Sequence, residues 1–130
     1  MTRIQNIPTN SELEVLTILW EQGKQTAREV HNILSTSKNT GYTTTLKTIQ
    51  NMFDKGFVNR EPKGQTHLYF AALKQQEVQK SMLGGFVNRV FGGSSKQLVL
   101  QVLGNQNTSQ EELEEIRQML DELERKGGQL

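Results

Sequence analysis

Apolar positions recur with helical period over most of the chain. Leu13, Leu16, Leu19 and Trp20 fall at helical spacing behind Asn10 or Ser11, either of which can cap a helix, and Gly23 stops it. Thr26 opens a second helix, TAREVHNIL, with Glu29 completing a capping-box pattern and Ala27, Val30, Ile33 and Leu34 forming the apolar face. The stretch STSKNTG (35–41) is a polar turn. A third helix is predicted from about Tyr42 to Lys55, ended by Gly56. Leu46, Ile49, Met52 and Phe53 make its apolar face. Thr43, Thr44, Lys47, Thr48 and Asn51 make the other, with no carboxylate until Asp54. Threonine is a mediocre helix former, so three in a row at a helix start point to a reason beyond propensity.

The pattern then shortens. FVNRE (57–61) and THLYFAA (66–72) are rich in strand formers, and Pro62, Lys63, Gly64 and Gln65 between them predict a hairpin with a four-residue loop. Three helices and then a hairpin with a basic tip is the order of a winged helix-turn-helix, assigned to residues 1–73. Residues 74–91 read as helix again, interrupted by Gly84-Gly85 and ended by Gly92-Gly93. Ser94 or Ser95 can cap a short apolar helix, KQLVLQVL. Thr108 or Ser109 opens the last one, ended by Gly127-Gly128, with Glu112 as capping-box partner of Ser109. In it Leu113, Ile116, Leu120 and Leu123 follow 3-4-3 spacing, an a/d seam. Two heptads are too short for a free coiled coil. The acidic outer face and the separate apolar run 98–103, with Leu98 and Val102, favour a dimer interface over packing back on the same domain. The fold class is therefore mainly α with a small β-hairpin: a winged-helix domain, 1–73, and a helical dimerisation domain, 74–130.

Composition narrows the chemistry. A chain of 130 residues with 34% hydrophobic content has a modest core, which a dimer would supplement. It has no cysteine, so disulfides, a thiol nucleophile and thiolate metal sites are excluded. His31 and His67 are too far apart in sequence to suggest a His-rich metal centre, and His31 reads as a partly buried structural residue. There is no Walker, GxSxG or HExxH signature, so no catalytic residue, metal, cofactor or small-molecule substrate is expected. No apolar run is long enough to span a membrane, and MTRIQNIPTNSELEV lacks a signal-peptide core, so a cytoplasmic location is expected.

The net charge of +1 hides an asymmetry. Residues 1–103 carry twelve Lys or Arg against seven Asp or Glu; residues 104–130 carry three against seven. A basic body before an acidic tail suits contact with a polyanion. On the third helix, short threonines would let the backbone approach a DNA major groove, and their hydroxyls and methyls can meet base edges. Lys47 can take a guanine or a phosphate, while Arg60 and Lys63 would bring charge to the backbone beside the groove. The alternative is a winged-helix protein-interaction module without a specific DNA target.

Five segments together resemble the BlaI/MecI penicillinase-repressor family. NSELEVLTILWEQG (10–23) is similar to its opening helix, and GYTTTLKTIQNMFDKGFVNRE (41–61) to its recognition helix and first wing strand. KGQTHLYFAAL (63–73) is similar to the rest of the wing. FVNRVFGGSSKQLVLQVL (86–103) and EELEEIRQMLDELE (111–124) are similar to its dimerisation segment. The resemblance implies a homodimeric repressor on a dyad operator of double-stranded DNA, controlling β-lactam-resistance or related stress genes. It implies Thr43, Thr44 and Lys47 at the start of the recognition helix, with Arg60 and Lys63 in the wing. It also implies induction by a membrane-bound sensor metalloprotease that cuts the dimerisation region. Where staphylococcal-type members carry Asn-Phe in that region, this chain has Gln101-Val102. The copper-responsive branch uses a cysteine cluster, which this sequence lacks.

Overall fold

A computed structural model describes residues 7–105 and 107–127. The elements are α1 (Asn10–Gln22), α2 (Ala27–Leu34), α3 (Tyr42–Lys55), β1 (Val58–Lys63), β2 (Thr66–Ala71), α4 (Gln75–Phe91), α5 (Ser95–Asn105) and α6 (Gln110–Arg125). This is the winged-helix order followed by a helical arm. The chain divides into two compact units at Gly84/Gly85, inside α4 rather than at residue 73.

Local chemistry sets each boundary. α1 is capped by Thr9, not by Asn10 or Ser11. The Thr9 hydroxyl accepts the Glu12 N–H at 3.2 Å, and the Thr9 N–H donates back to Glu12 Oε1 at 3.0 Å. Asn10 and Ser11 are thus already helical: Ser11 also has an acidic residue three positions on, Glu14, but Glu12 is the one that reaches back, to Thr9. Thr26 and Glu29 form the same reciprocal pair at α2. α3 ends as the sequence indicates. Gly56 adopts φ +82°, and the Phe57 and Gly56 N–H groups bond back to Met52 O and Phe53 O. That closure needs the left-handed backbone that glycine allows.

The hairpin is tighter than expected. Pro62 pairs with His67 and Lys63 with Thr66, so both belong to β1 and only Gly64 and Gln65 form the turn. Gly64 at φ +59° supplies the positive first position of such a two-residue turn. Proline is tolerated because β1 is the outer strand, while β2 bonds Gln25 on its other side through Tyr69.

The core of the first unit joins Leu16 and Leu19 of α1, Val30 of α2, Ile49 and Met52 of α3, and Val58 and Tyr69 of the hairpin. The Trp20 indole donates to Leu73 O at 3.0 Å, and Val78 of α4 is fully buried. This seats the first turns of α4 on the winged unit, which is why the division falls beyond residue 73. The pair Gly84-Gly85 does not interrupt α4, since neither residue takes a positive φ.

In the second unit, Ser94 caps α5 by accepting the Gln97 N–H at 3.2 Å, and Ser109 caps α6 by accepting the Glu112 N–H at 3.0 Å. Gly127 follows α6 at φ +72°; Gly128 lies outside the described residues. No side chain of α6 is buried within the chain.

One ion pair ties α1 to α3. Glu12 is only 5% exposed, and its Oε2 accepts from Lys55 Nζ at 2.6 Å. Burial pushes the Glu12 carboxyl upward, but hydrogen bonds from Lys55 and the Thr9 backbone, with the Lys55 charge, hold it below its ordinary value of 4.5. A depressed carboxyl stabilises the fold above its unfolded value, and that stabilisation fades as pH falls through the folded one. Glu12→Gln is therefore expected to cost about 1–3 kcal/mol at neutral pH. Urea unfolding of both proteins should show the gap closing as pH drops below about 4. A gap unchanged with pH would contradict the charge as its source.

Candidate nucleic-acid interface

α3 presents one unpaired polar arc. At about 100° per residue, Thr43, Lys47, Gln50, Asn51 and Asp54 share an arc roughly 100° wide, opposite buried Thr45, Ile49 and Met52. All five arc residues are exposed. Thr43, Lys47 and Asn51 make no side-chain hydrogen bond or ion pair among the described residues. Gln50 is neither small nor basic, so residue type does not mark it in the sequence; the wheel alone places it beside Thr43. Asp54 closes the arc with a negative charge, so only the first three turns suit a polyanion.

The other threonines differ from one another. Thr44 is exposed on the flank of the arc. Thr48 lies further round, is half-buried, and its hydroxyl donates to Thr44 O at 3.0 Å. Thr45 is 2% exposed and belongs to the core side. Its hydroxyl lies 3.2 Å from His31 Nδ1 and donates to Gly41 O. With Thr45 donating, His31 Nδ1 serves as the donor to it. Gly41, the N-cap of α3, has no side chain to cap with, so Thr45 and His31 fasten this end to α2 instead. That accounts for the middle threonine, while Thr43 and Thr44 remain outward.

The two wing residues separate. Arg60 and Lys63 are three positions apart in β1 and therefore lie on opposite faces of the hairpin. Arg60 pairs across the hairpin with Tyr69, and its guanidinium stacks 3.9 Å from the Phe53 ring of α3. Lys63 is exposed beside the turn. On its face Lys24 is paired with Glu61 at 3.1 Å. The geometry thus brings Arg60, not Lys63, onto α3. Lys63 still bears on the Glu29 carboxyl, which the Thr26 backbone N–H chiefly, and the Lys63 charge in a minor way, hold below its ordinary range.

In the second unit, Leu98, Val102 and Ile116 line an apolar groove of about 260 Å³ between α5 and α6, with Val99 and Leu103. Leu120 and Leu123 form a second apolar surface further along α6. Leu113 is half-buried. Val99, Leu100, Val102, Met119 and Leu120 are each about half exposed or more in the single chain. Gln101 and Val102 are exposed, and the bond between them lies within helix α5.

Among the described residues no cluster of three or more His, Asp or Glu could hold a metal, and no helix is long and apolar enough to cross a membrane. A family model described as penicillinase repressor matches residues 8–122. The chain is 30% identical over 126 residues to the penicillinase repressor of Bacillus licheniformis, covering 94% of each protein. It is 25% identical over 113 residues to the methicillin resistance regulatory protein MecI of Staphylococcus aureus strain N315, covering 87% of this chain and 92% of that one. The solution structure of monomeric Bacillus licheniformis BlaI in complex with the blaP half-operator is similar in fold, with a TM-score of 0.50 and 23% identity over 59% of this chain and 93% of that one. These relatives are repressors and regulators, not enzymes. With its winged helix, its helical arm and a family match across both, the chain belongs to the penicillinase repressor family.

Proposed function

We propose that this protein is a homodimeric transcriptional repressor, each subunit placing α3 in one major groove of a dyad operator. The observation that carries the reading is the exposed, carboxylate-poor arc of α3, whose Thr43, Lys47 and Asn51 have no partner among the described residues. A major groove admits one helix, and these residue types bond base edges and phosphates. Thr44 and Thr48 flank the arc, Arg60 supplies charge on one side of α3, and Lys63 supplies it at the wing tip.

The dimer interface is assigned to α5 and α6, through Leu98, Val102, Leu113, Ile116, Leu120 and Leu123. In the single chain Val102 and Leu120 are exposed and Leu98, Leu113, Ile116 and Leu123 half-buried, which supports a segment completed by a second copy. The dimerisation role thus lies within 74–130 and the DNA-binding role within 1–73. The family names point to resistance genes as targets, and a repressor that binds operator DNA acts in the cytoplasm. Derepression follows from loss of the arm, with a sensor metalloprotease as its agent. The Gln101-Val102 bond is helical, so cutting there requires α5 to unwind first.

The test is fluorescence anisotropy with duplex DNA from upstream of the protein's own gene, against a scrambled duplex. Binding at physiological salt at least ~10³-fold tighter than to the scrambled DNA is expected. Weak binding, equal on both, would contradict the reading.

A further inference from the structure

Two arginines stand on aromatic rings along one flank of α3. The Arg28 guanidinium lies 3.7 Å from the Tyr42 ring centroid, and that of Arg60 lies 3.9 Å from the Phe53 centroid. Tyr42 and Phe53 are the first residue of α3 and one in its last turn. At about 100° and 1.5 Å per residue they sit roughly 20° apart around the axis and about 16 Å apart along it. The guanidiniums therefore mark the same side of α3 at its two ends.

Three of the surrounding lysines are treated differently. Lys24, Lys38 and Lys55 are each neutralised by a carboxylate, Glu61, Glu14 and Glu12. Arg28 and Arg60 are exposed and form no hydrogen bond or ion pair among the described residues. A ring face holds a cation in place without cancelling its charge. Tyr42 is itself braced: the His31 ring meets it edge-on at 5.7 Å, and His31 is bonded to Thr45.

We propose that Arg28 and Arg60 are a matched pair of DNA-backbone contacts, each binding a phosphate on the one strand that borders this flank of α3. The proposal rests on the reading of α3 as a groove-binding helix and adds Arg28, with Tyr42 and Phe53 as its and Arg60's platforms. A stacked guanidinium keeps its N–H edge free to fork onto a phosphate, and its side chain is already ordered, so little freedom is lost on binding. Phosphate contacts carry register rather than sequence. Two of them at a fixed spacing set the depth and angle of α3, and so which bases Lys47 and Asn51 meet.

The experiment compares the full chain with Arg28→Gln, Arg60→Gln and Arg28→Lys on a scrambled-sequence duplex over a range of KCl concentrations. A phosphate contact is independent of sequence, so scrambled DNA suffices. Each Gln variant is expected to lower the slope of log K against log salt by about 0.9 per bound protomer and to weaken binding about fivefold at physiological salt. The double variant should lose about twice that slope. Arg28→Lys keeps the charge, so its slope should hold while affinity falls through loss of the planar fork. Thermal melts confirm folding. Weaker binding by Arg28→Gln with an unchanged slope would mean Arg28 only props Tyr42, and overturns the pair while leaving the groove-binding reading intact. Wild-type protein that binds no duplex overturns both.

Discussion

Leu120→Asp is expected to turn the protein into a monomer and to weaken operator binding by about 10²-fold or more. Leu120 is 56% exposed in the single chain, on the same side of α6 as Ile116 and Leu123. In the proposed dimer this side is covered by the partner. A carboxylate there must either lose its hydration or keep the helices apart, and the second is cheaper. The operator effect follows without any lost base contact. Two tethered half-site binders gain through effective concentration, and a monomer forfeits that gain. Sedimentation velocity reads the mass directly, while binding to a single half-site should be unchanged. A dimer of unaltered mass would overturn the seam assignment.

Lys47→Ala is expected to cost about 1–3 kcal/mol of operator affinity if the ammonium meets a guanine, with the loss confined to sites carrying that base. If it meets a phosphate, the loss is similar on every sequence and the salt slope falls by about 1. Lys47 sits near the centre of the exposed arc with no intramolecular partner among the described residues. Its removal therefore breaks nothing within the fold, and the melting temperature should be unchanged. Unaltered affinity and slope would exclude both roles. The two variants separate cleanly: one changes mass and spares the half-site, the other spares mass and changes the half-site.

The sequence carried the winged-helix plan because its signals are local and strong. Thr26 with Glu29, Gly56 after an apolar stripe, and Ser109 before Glu112 each set a boundary by one or two hydrogen bonds that short spacing dictates. Where a second residue decides the matter, the local signal misleads. Thr9 outcompetes Asn10 and Ser11 because Glu12 reaches back to it. Pro62 and Lys63 look like loop residues but lie in a strand, since an outer strand needs no N–H at Pro62 and Gly64 alone supplies the positive φ. Gly84-Gly85 looks like a break, but glycine permits helix as well as turn.

The site was legible as a face but not as a geometry. Thr43, Thr44, Lys47 and Asn51 are where the periodicity puts them. Thr45 looked like one more threonine of the same run. Its spacing to Ile49 and Met52 puts it on the buried side of α3, but its bond to His31, fourteen residues earlier, is encoded by no local pattern. Likewise nothing in the sequence says that Arg60 stacks on Phe53 or that Arg28 stacks on Tyr42, because both need the helix packing to be in place. The helical arm was legible as amphipathic, and its exposed leucines are the part a single chain leaves unfinished.

The central claim is that two copies of α3 occupy two major grooves of one dyad site. Methylation protection with dimethyl sulfate tests it most directly, because the reagent reports guanine N7 in the major groove. On DNA from upstream of the protein's own gene, two protected patches are predicted, related by a dyad, their centres about 10 base pairs or a multiple apart. Protection should weaken with Lys47→Ala at the same protein concentration. A single patch, or binding that leaves every guanine N7 open to the reagent, would contradict the account.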